Sequence, residues 1–588
     1  MKTLHSSTFL LLISTALPLV LSTQTPFQHS STDTDEEARS REAYRFEWPV
    51  KRVAVIGAGV AGMTTYRELR RDGFDVHIFE RDFLPGGNWH YTDEIPADAP
   101  VPNAPIAVAD FEPSLPPHGV DLPYIEEYDN RTLCALHRRE HRAPKPIWYG
   151  LTTNVPAPLQ QIREFPWPDG TEWSTPQDKV CRYLRAFASW HNINTNDDSS
   201  DISYNTRVEL IEKRLDADGN QIGWTLTTKE LVQIEGGFNR ATWNKRAFDG
   251  VVIASGRYNA PNVPPIAGLA EWGKVFPDGL IHSRQYRQPE MFAGRKVVVI
   301  GAAASGSQIS REISPYADKI YQSVRPEYSM ENPHPTQRPT IADWVRTIPQ
   351  NVSIVAEIKR FHSPGSTIQQ SAIELVDGTI LTGIDHILFS TGYLYTYPFL
   401  PEYHDPSLGR TGEAPEDAPV KPIITDGSHI RSLHLDTFYI DNPTLAFVNA
   451  NVGISAFTYA EFQALAISMV WSGKAHLPER DEMWRLYRER VKEIGYGKHF
   501  SFLGKRFGQM VRYFQGWLNA AAAKSGGRQI NGFPFVDSEI ASLWNRALFG
   551  DPWLVRNITI PGAEHIYASM VEPKDDAYMQ DVLYNDIW

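Results

Sequence analysis

The sequence predicts an α/β fold of two nested β-α-β units, and three observations carry that prediction. A short β-branched run at 52–56 leads into the glycine-rich turn Gly57-Ala58-Gly59-Val60-Ala61-Gly62. A second such run at 296–300 leads into a turn of small residues, Gly301-Ala302-Ala303-Ala304-Ser305-Gly306. Apolar strands at 250–254 and 443–449 lie on either side of the second unit and belong with the first, so one unit is inserted inside the other.

A chain of 588 residues that is 42% hydrophobic buries a large core, and a net charge of −13 argues against a nucleic-acid partner. Small molecules are the expected partners. Lys2 and His5, the apolar run from Phe9 to Leu21 and the small polar Ser22 and Thr23 have the layout of a secretory signal, too short to span a bilayer. Residues 1–23 are therefore expected to be removed, with the protein secreted or held in a vesicle or endoplasmic reticulum lumen. Glycosylation sequons at Asn130, Asn351 and Asn557 agree with that route. Cys134 and Cys181 allow one disulfide or two free thiols, and no Cys-x-x-Cys pair exists to pass electrons to a disulfide substrate.

Taken in order, residues 24–49 are polar and acidic and read as a flexible leader, and folded structure is expected from Val50. Residues 50–260 form the first part of the outer domain. They hold the first unit with its helix at 63–71 and second strand at 75–80, an irregular Pro- and Asp-rich excursion at 91–124, a helix at 180–191, and strands at 207–212 and 223–228. Residues 261–385 are the inserted domain, with a helix at 307–314 and a strand at 319–325. Residues 386–480 return to the outer domain, starting from the strand at 384–389, and residues 481–588 form a helical extension. Within it Phe507, Met510, Val511, Phe514, Trp517 and Leu518 make one apolar face beside Lys505, Arg506 and Arg512. That face suits core packing and, less well, a membrane surface.

The first turn has the dinucleotide-binding pattern of a Rossmann-like unit. Gly57 permits the turn, Gly59 lets the backbone approach a pyrophosphate, and Gly62 packs helix on strand, with Ala58, Val60 and Ala61 completing the contact surface. Glu80 closes the second strand, where a carboxylate accepts from a ribose. In the second turn Gly301, Ser305 and Gly306 fit the same role, but Ala303 stands where a glycine allows the closest approach. Arg325, in register after that turn, suits the 2′-phosphate that separates NADPH from NADH. With no Ser-His-Asp arrangement, metal-ligand cluster or lysine-bearing phosphate loop evident, the cofactor is expected to supply the chemistry, and no metal is called for.

Further motifs carry a resemblance. Gly86-Gly87-Asn88-Trp89, Leu151-Thr152-Thr153-Asn154 and Phe165-Pro166-Trp167-Pro168 are followed by Phe276-Pro277-Asp278-Gly279-Leu280-Ile281-His282-Ser283-Arg284-Gln285-Tyr286. Ser390-Thr391-Gly392-Tyr393 and Pro398-Phe399-Leu400 complete the set. Over roughly residues 50 to 480 the chain resembles the flavin-containing monooxygenases. The resemblance implies FAD in the outer domain, NADPH in the inserted one, and insertion of one oxygen atom from O2 into a small organic substrate through a flavin C4a-hydroperoxide. It also implies that Trp89 flanks the flavin, that Asn88, Thr153, Val208, Thr391 and Gly392 belong to the cofactor surface, and that Asn154 is the catalytic amide beside the flavin and the nicotinamide ribose.

Departures accompany the matches. Asp278 replaces the family's usual glycine, and Tyr286-Arg287 replaces the Trp-Pro ending of Baeyer–Villiger enzymes, which leans toward nitrogen or sulfur oxygenation and leaves the Baeyer–Villiger reaction open. His282 reads as a structural hydrogen-bonding residue. The combination with a secretory signal also resembles secreted monooxygenases of fungal polyketide pathways. Competing readings are a secreted FAD oxidase whose inserted domain is vestigial, favoured by Ala303 and opposed by Arg325, and a non-catalytic scaffold.

Overall fold

The computed structural model describes residues 43–325, 344–345 and 347–530. The signal segment, Asn557 and residues 531–588 lie outside the described residues. Strand β1 (Arg52–Ile56), helix α1 (Val60–Arg71) and strand β2 (Asp75–Phe79) form the first unit, with β1 and β2 parallel and Val55 beside Ile78. Then come β3 (Tyr124–Tyr128), α2 (Arg131–Arg142), α3 (Gln177–Trp190), β4 (Ile202–Ser203), β5 (Thr206–Leu215), β6 (Gln221–Gln233), β7 (Asn239–Phe248) and β8 (Gly250–Ile253).

The inserted domain begins with α4 (Leu269–Val275), β9 (Leu280–His282), β10 (Lys296–Ile300), α5 (Ala304–Ile313), β11 (Lys319–Ser323) and β12 (Ser353–Val355). It continues through β13 (Ile358–Phe361), β14 (Ile373–Leu375), β15 (Ile380–Leu381) and β16 (His386–Phe389). The chain returns by β17 (Leu433–His434), β18 (Phe438–Tyr439) and β19 (Leu445–Phe447), then runs into α6 (Ala456–Trp471), α7 (Arg480–Ile494) and α8 (Phe507–Ser525).

One sheet has the order β17-β18-β19-β8-β1-β2-β4 and another β12-β11-β10-β16-β9, so strands before and after the second sheet share the first. The nesting expected from the sequence is thus the observed topology. β1 and β10 are buried along all but their first residue, which is why both read as unbroken apolar runs instead of alternating ones. α6 is buried nearly all round, between α1 on one side and α8 on the other.

Three expectations need correction. The strand read as opening the return of the outer domain, β16, pairs with β10 and β9 and so belongs inside the inserted sheet. Its end has the same small-residue signature as the end of β8, and sequence order alone does not say which sheet receives it. The last residues of the supposed leader are packed. Tyr44, Phe46 and Trp48 are half-buried in alternation with exposed Arg45 and Glu47, the Tyr44 N–H donates to the Leu477 carbonyl at 2.9 Å, and Trp48 Nε1 donates to the Asp249 carbonyl at 2.8 Å. The excursion at 91–124 is irregular but works as a seam: Arg284 Nη2 donates to the Ala97 carbonyl at 2.6 Å, Gln285 Nε2 to Asp98 Oδ1 at 2.9 Å, and the Val263 N–H to Asn103 Oδ1 at 2.7 Å.

Cys134 and Cys181 are free thiols. The apolar face of α8 is core, since Phe507, Val511, Phe514 and Leu518 are buried and Phe514 packs against Tyr459 and Phe462 of α6. No helix among the described residues is long and apolar enough to cross a membrane. Below α6 a charge network ties the extension to α1. Arg67, 1% exposed, donates to Glu68 Oε1 at 2.7 Å and to Glu461 Oε1 at 2.6 Å, and Arg528 reaches Glu68 and Glu164.

Candidate active site

The first turn is shaped by what it lacks. Gly57 sits at φ +105°, and a Cβ there would lie 2.7 Å from the Ala254 carbonyl oxygen at the end of β8. A Cβ on Gly62 would lie 1.8 Å from the Gly57 oxygen, so only glycine lets α1 start this close to β1. Gly87, at φ +56°, comes down so near Gly59 that its Cβ would be 3.0 Å from the Gly59 Cα. The two backbones form a floor without side chains at the N-terminus of α1, where amides and helix dipole favour a phosphate.

Glu80 is buried at the end of β2. Its Oε2 accepts from the Ala58 N–H at 2.7 Å and its Oε1 from the Asp82 N–H at 2.8 Å, which fixes the carboxylate beside the turn with lone pairs left for a ribose. The Thr206 N–H donates to the Glu80 carbonyl at 2.8 Å, bringing the start of β5 and buried Val208 to the same corner. Asn88 follows Gly87 and approaches Gly256, whose Cβ would be 4.0 Å from Asn88 Nδ2. Trp89 is half-buried against the main core. Sequence reading missed Asp82 two residues on. Burial alone would raise its carboxyl, but Lys145 and His90 outweigh that and hold it well below the usual carboxylate range, with His90 Nδ1 at 2.8 Å and Lys145 Nζ at 3.3 Å from Oδ2.

The second turn repeats the first. Gly301 sits at φ +97° with its Cβ position 2.7 Å from the Ser390 carbonyl oxygen, and the Gly306 Cβ would be 2.1 Å from the Gly301 oxygen. Ala303 caps α5 at φ −78°, ψ −169°, almost the conformation of Gly59 at φ −76°, ψ −175°. The backbone conformation there needs no glycine, and the alanine methyl sits on an exposed residue at the start of α5. Ser305 lies in the first turn of α5, and Arg325 is exposed just past the end of β11. Thr391 and Gly392 stand beside this second turn: the Asn262 N–H donates to the Gly392 carbonyl at 2.9 Å and Asn262 Nδ2 to the Thr391 carbonyl at 3.1 Å.

Asn154 is exposed while Thr153 and Val155 on either side are buried. The Thr153 N–H donates to the Thr175 carbonyl at 2.9 Å, and the Thr175 N–H donates back to Thr153 Oγ1 at 3.0 Å, so the amide rides on a fixed backbone. Asp278 is exposed, whereas Gly279 is buried with its Cβ position 2.5 Å from Ile368 Cδ1. The glycine the fingerprint needs for packing is thus present one residue later. A cavity of about 770 Å³ bordered by Trp48, Thr444 and Trp484 lies at the opposite, N-terminal ends of β8 and β19, away from both turns.

A family model described as flavin-binding monooxygenase-like matches residues 136–330, and one described as a NAD(P)-binding Rossmann-like domain matches residues 55–115. The flavin-containing monooxygenase iboF of Amanita muscaria (strain Koide BX008) is 49% identical over 495 residues, covering 83% of this chain and 92% of that protein. The chain belongs to the flavin-containing monooxygenase family. The flavin-containing monooxygenase ustF2 of Aspergillus flavus is 32% identical over 505 residues, covering 82% of this chain and 94% of that protein. In fold the chain matches the S-allyl-L-cysteine S-oxygenase of Allium sativum at a TM-score of 0.60 and 23% identity, over 88% of this chain and 97% of that one.

As a flavin-containing monooxygenase it is an enzyme that uses FAD, NADPH and O2 on a small molecule. The residues fit both cofactors. Each turn is a cradle that a single Cβ would close, and each stands at the C-terminal end of a parallel strand, the usual ligand edge of such sheets. When bound, FAD reduced by NADPH supplies the activation of O2. The chain's own part is to hold the two dinucleotides, orient them and keep water out.

Proposed function

We propose that the enzyme oxygenates a nitrogen or sulfur atom of a small organic molecule, with the overall balance substrate + NADPH + H⁺ + O2 giving oxygenated substrate + NADP⁺ + H2O. The observation that carries this reading is Asn154, an exposed neutral amide on a backbone held rigid by Thr153 and Thr175. An amide donates a hydrogen bond without titrating, so it steadies bound oxygen without abstracting the proton that an electrophilic transfer to a heteroatom requires. The Tyr286-Arg287 ending supports the same branch. In this reading Glu80 holds the FAD ribose, Trp89 flanks the flavin, Asn88 and Val208 belong to the FAD surface, Thr391 and Gly392 border the cofactor cleft, and Arg325 holds the 2′-phosphate. The test is NADPH oxidation by the FAD-loaded enzyme against a panel of amines, thiols, thioethers and ketones. Turnover with the heteroatom compounds is expected, and turnover confined to ketones overturns the reading.

The enzyme is further proposed to enter the secretory route and to be glycosylated. Support comes from the signal-like segment at 1–23 and from Asn130 and Asn351, both exposed sequon asparagines. Amino-terminal sequencing and a glycosidase mobility shift test this, and an unprocessed, unshifted chain overturns it.

A further inference from the structure

Glu312 is the last residue but one of α5, the helix that opens at the second glycine turn. Its Oε1 accepts from Trp148 Nε1 at 2.9 Å and from Gln308 Nε2 at 3.2 Å, and its Oε2 accepts from Tyr286 Oη at 3.0 Å. Trp148 and Tyr286 are buried, 4% and 0% exposed, in one apolar cluster with Val297, Val299 and Ile309 of the inserted domain. Gly150 lies against the carboxylate, its Cβ position 3.2 Å from Oε2, so the backbone at 148–150 is laid directly on Glu312.

Four residues further on is Asn154, and by then the chain has changed domains. The Gln177 N–H at the start of α3 donates to the Leu151 carbonyl at 3.0 Å, Thr153 is bonded to Thr175, and Ala157 is buried in the outer domain's core. Residues 148–157 are therefore a strap whose first three residues are riveted to the NADPH domain through Glu312 and which is bonded to the FAD domain from Leu151 onward, with the exposed amide four residues from the rivet. A displacement of about 1 Å at a reacting group changes rates by roughly a hundredfold, so the rivet bears directly on the chemistry.

We propose that Glu312 is a positioning residue for Asn154: by fixing the start of the strap to the NADPH domain, it sets that domain's place relative to the amide, which Thr153 and Thr175 hold on the FAD domain. This rests on the role proposed above for Asn154.

The test uses the full FAD-loaded enzyme without organic substrate, reading H2O2 released per loaded flavin as NADPH is consumed, together with KM for NADPH, FAD content and melting temperature. Asn154→Ala is expected to raise H2O2 release about tenfold, Glu312→Ala about as much, and the double variant no further, since both act on the one placement of the amide against the cofactors. Tyr286→Phe, which keeps the ring and loses one donor, is expected to fall between, and Glu312→Gln, which keeps an acceptor for Trp148, to stay within about threefold of the parent. If Asn154→Ala raises H2O2 release while Glu312→Ala and Tyr286→Phe leave it at the parent value per loaded flavin, the inference fails and the Asn154 reading stands. Should Glu312→Ala lower only FAD content and melting temperature, the residue is a structural tie and the inference fails again. Silence of Asn154→Ala itself overturns the reading of Asn154 and the inference with it.

Discussion

His282 joins the fingerprint segment to the end of β16: its Nε2 lies 3.1 Å from the Gly392 carbonyl oxygen while its Nδ1 accepts from the Arg284 N–H at 3.2 Å. The geometry requires the neutral ring with its proton on Nε2. Burial, and then the Arg284 guanidinium, push its pKa down to about 3. The ring is a tie between the fingerprint and the strand beside the second glycine turn, with no acid–base task. His282→Ala is expected to leave FAD affinity near the parent value and to slow flavin reduction by NADPH several-fold. Stopped-flow reduction together with FAD titration separates these effects, and lost FAD binding with normal reduction of the loaded fraction would count against it.

The same burial predicts a pH profile for stability. His282 is pushed down to about 3, and His429 and His434 to about 4, in each case first by burial. Their unfolded value is about 6.5, so between that pH and the folded values the unfolded chain binds more protons than the folded one. The stability they contribute is full above about pH 6.5 and is lost as pH falls toward 4 and 3. Melting temperature is expected to hold from pH 8 to 7 and to fall steadily below pH 6. A flat profile down to pH 5 contradicts the neutral, buried assignment.

Arg325 and Ala303 predict opposite changes in NADPH use. Losing a charge-assisted contact to the 2′-phosphate costs about 1.5–3 kcal/mol, so Arg325→Ala is expected to reduce the NADPH-over-NADH preference by roughly ten- to a hundredfold in kcat/KM for flavin reduction. Ala303→Gly removes a methyl at a position whose backbone is already ordinary, φ −78°, and is expected to lower KM for NADPH a few-fold. An unchanged preference in the first variant removes Arg325 from the site.

The Arg67 network sets the attachment of the carboxy-terminal extension. Arg67→Ala leaves Glu461, 8% exposed, without its cation and Glu68, 2% exposed, with only Arg528 and Arg71, and breaking such a buried pair from one side costs about 3–5 kcal/mol. Urea unfolding followed by flavin fluorescence measures it. A loss below about 1 kcal/mol would show that the network relaxes or takes up water.

Much of this was legible because it rests on conformations only glycine adopts. Gly57 and Gly301 need positive φ and a missing Cβ, and both stood out between β-branched strands and helices. Partnership was less legible. β16 ends in Ser390-Thr391-Gly392 much as β8 runs into Ala254-Ser255-Gly256, and only hydrogen bonding tells which glycine turn each one meets. The packed end of the leader, at Tyr44, Phe46 and Trp48, carried a period-two signal hidden behind charged neighbours. β6 runs on to Gln233 because its backbone stays paired with β7 as far as Asn239, beyond the Trp-Thr-Leu-Thr pattern that marked residues 223–228. Glu312 gave no sequence signal at all, because its partners Trp148 and Tyr286 are distant in the chain.

The most direct measurement is anaerobic mixing of the FAD-loaded enzyme with NADPH or NADH, followed by admission of O2 with and without an organic amine or thioether. The account predicts bleaching of the flavin by NADPH far faster than by NADH, and oxygenated product nearly equal to NADPH consumed when substrate is present, with little H2O2. A flavin that NADPH does not bleach, or NADPH consumption that yields only H2O2 with every substrate, would contradict it.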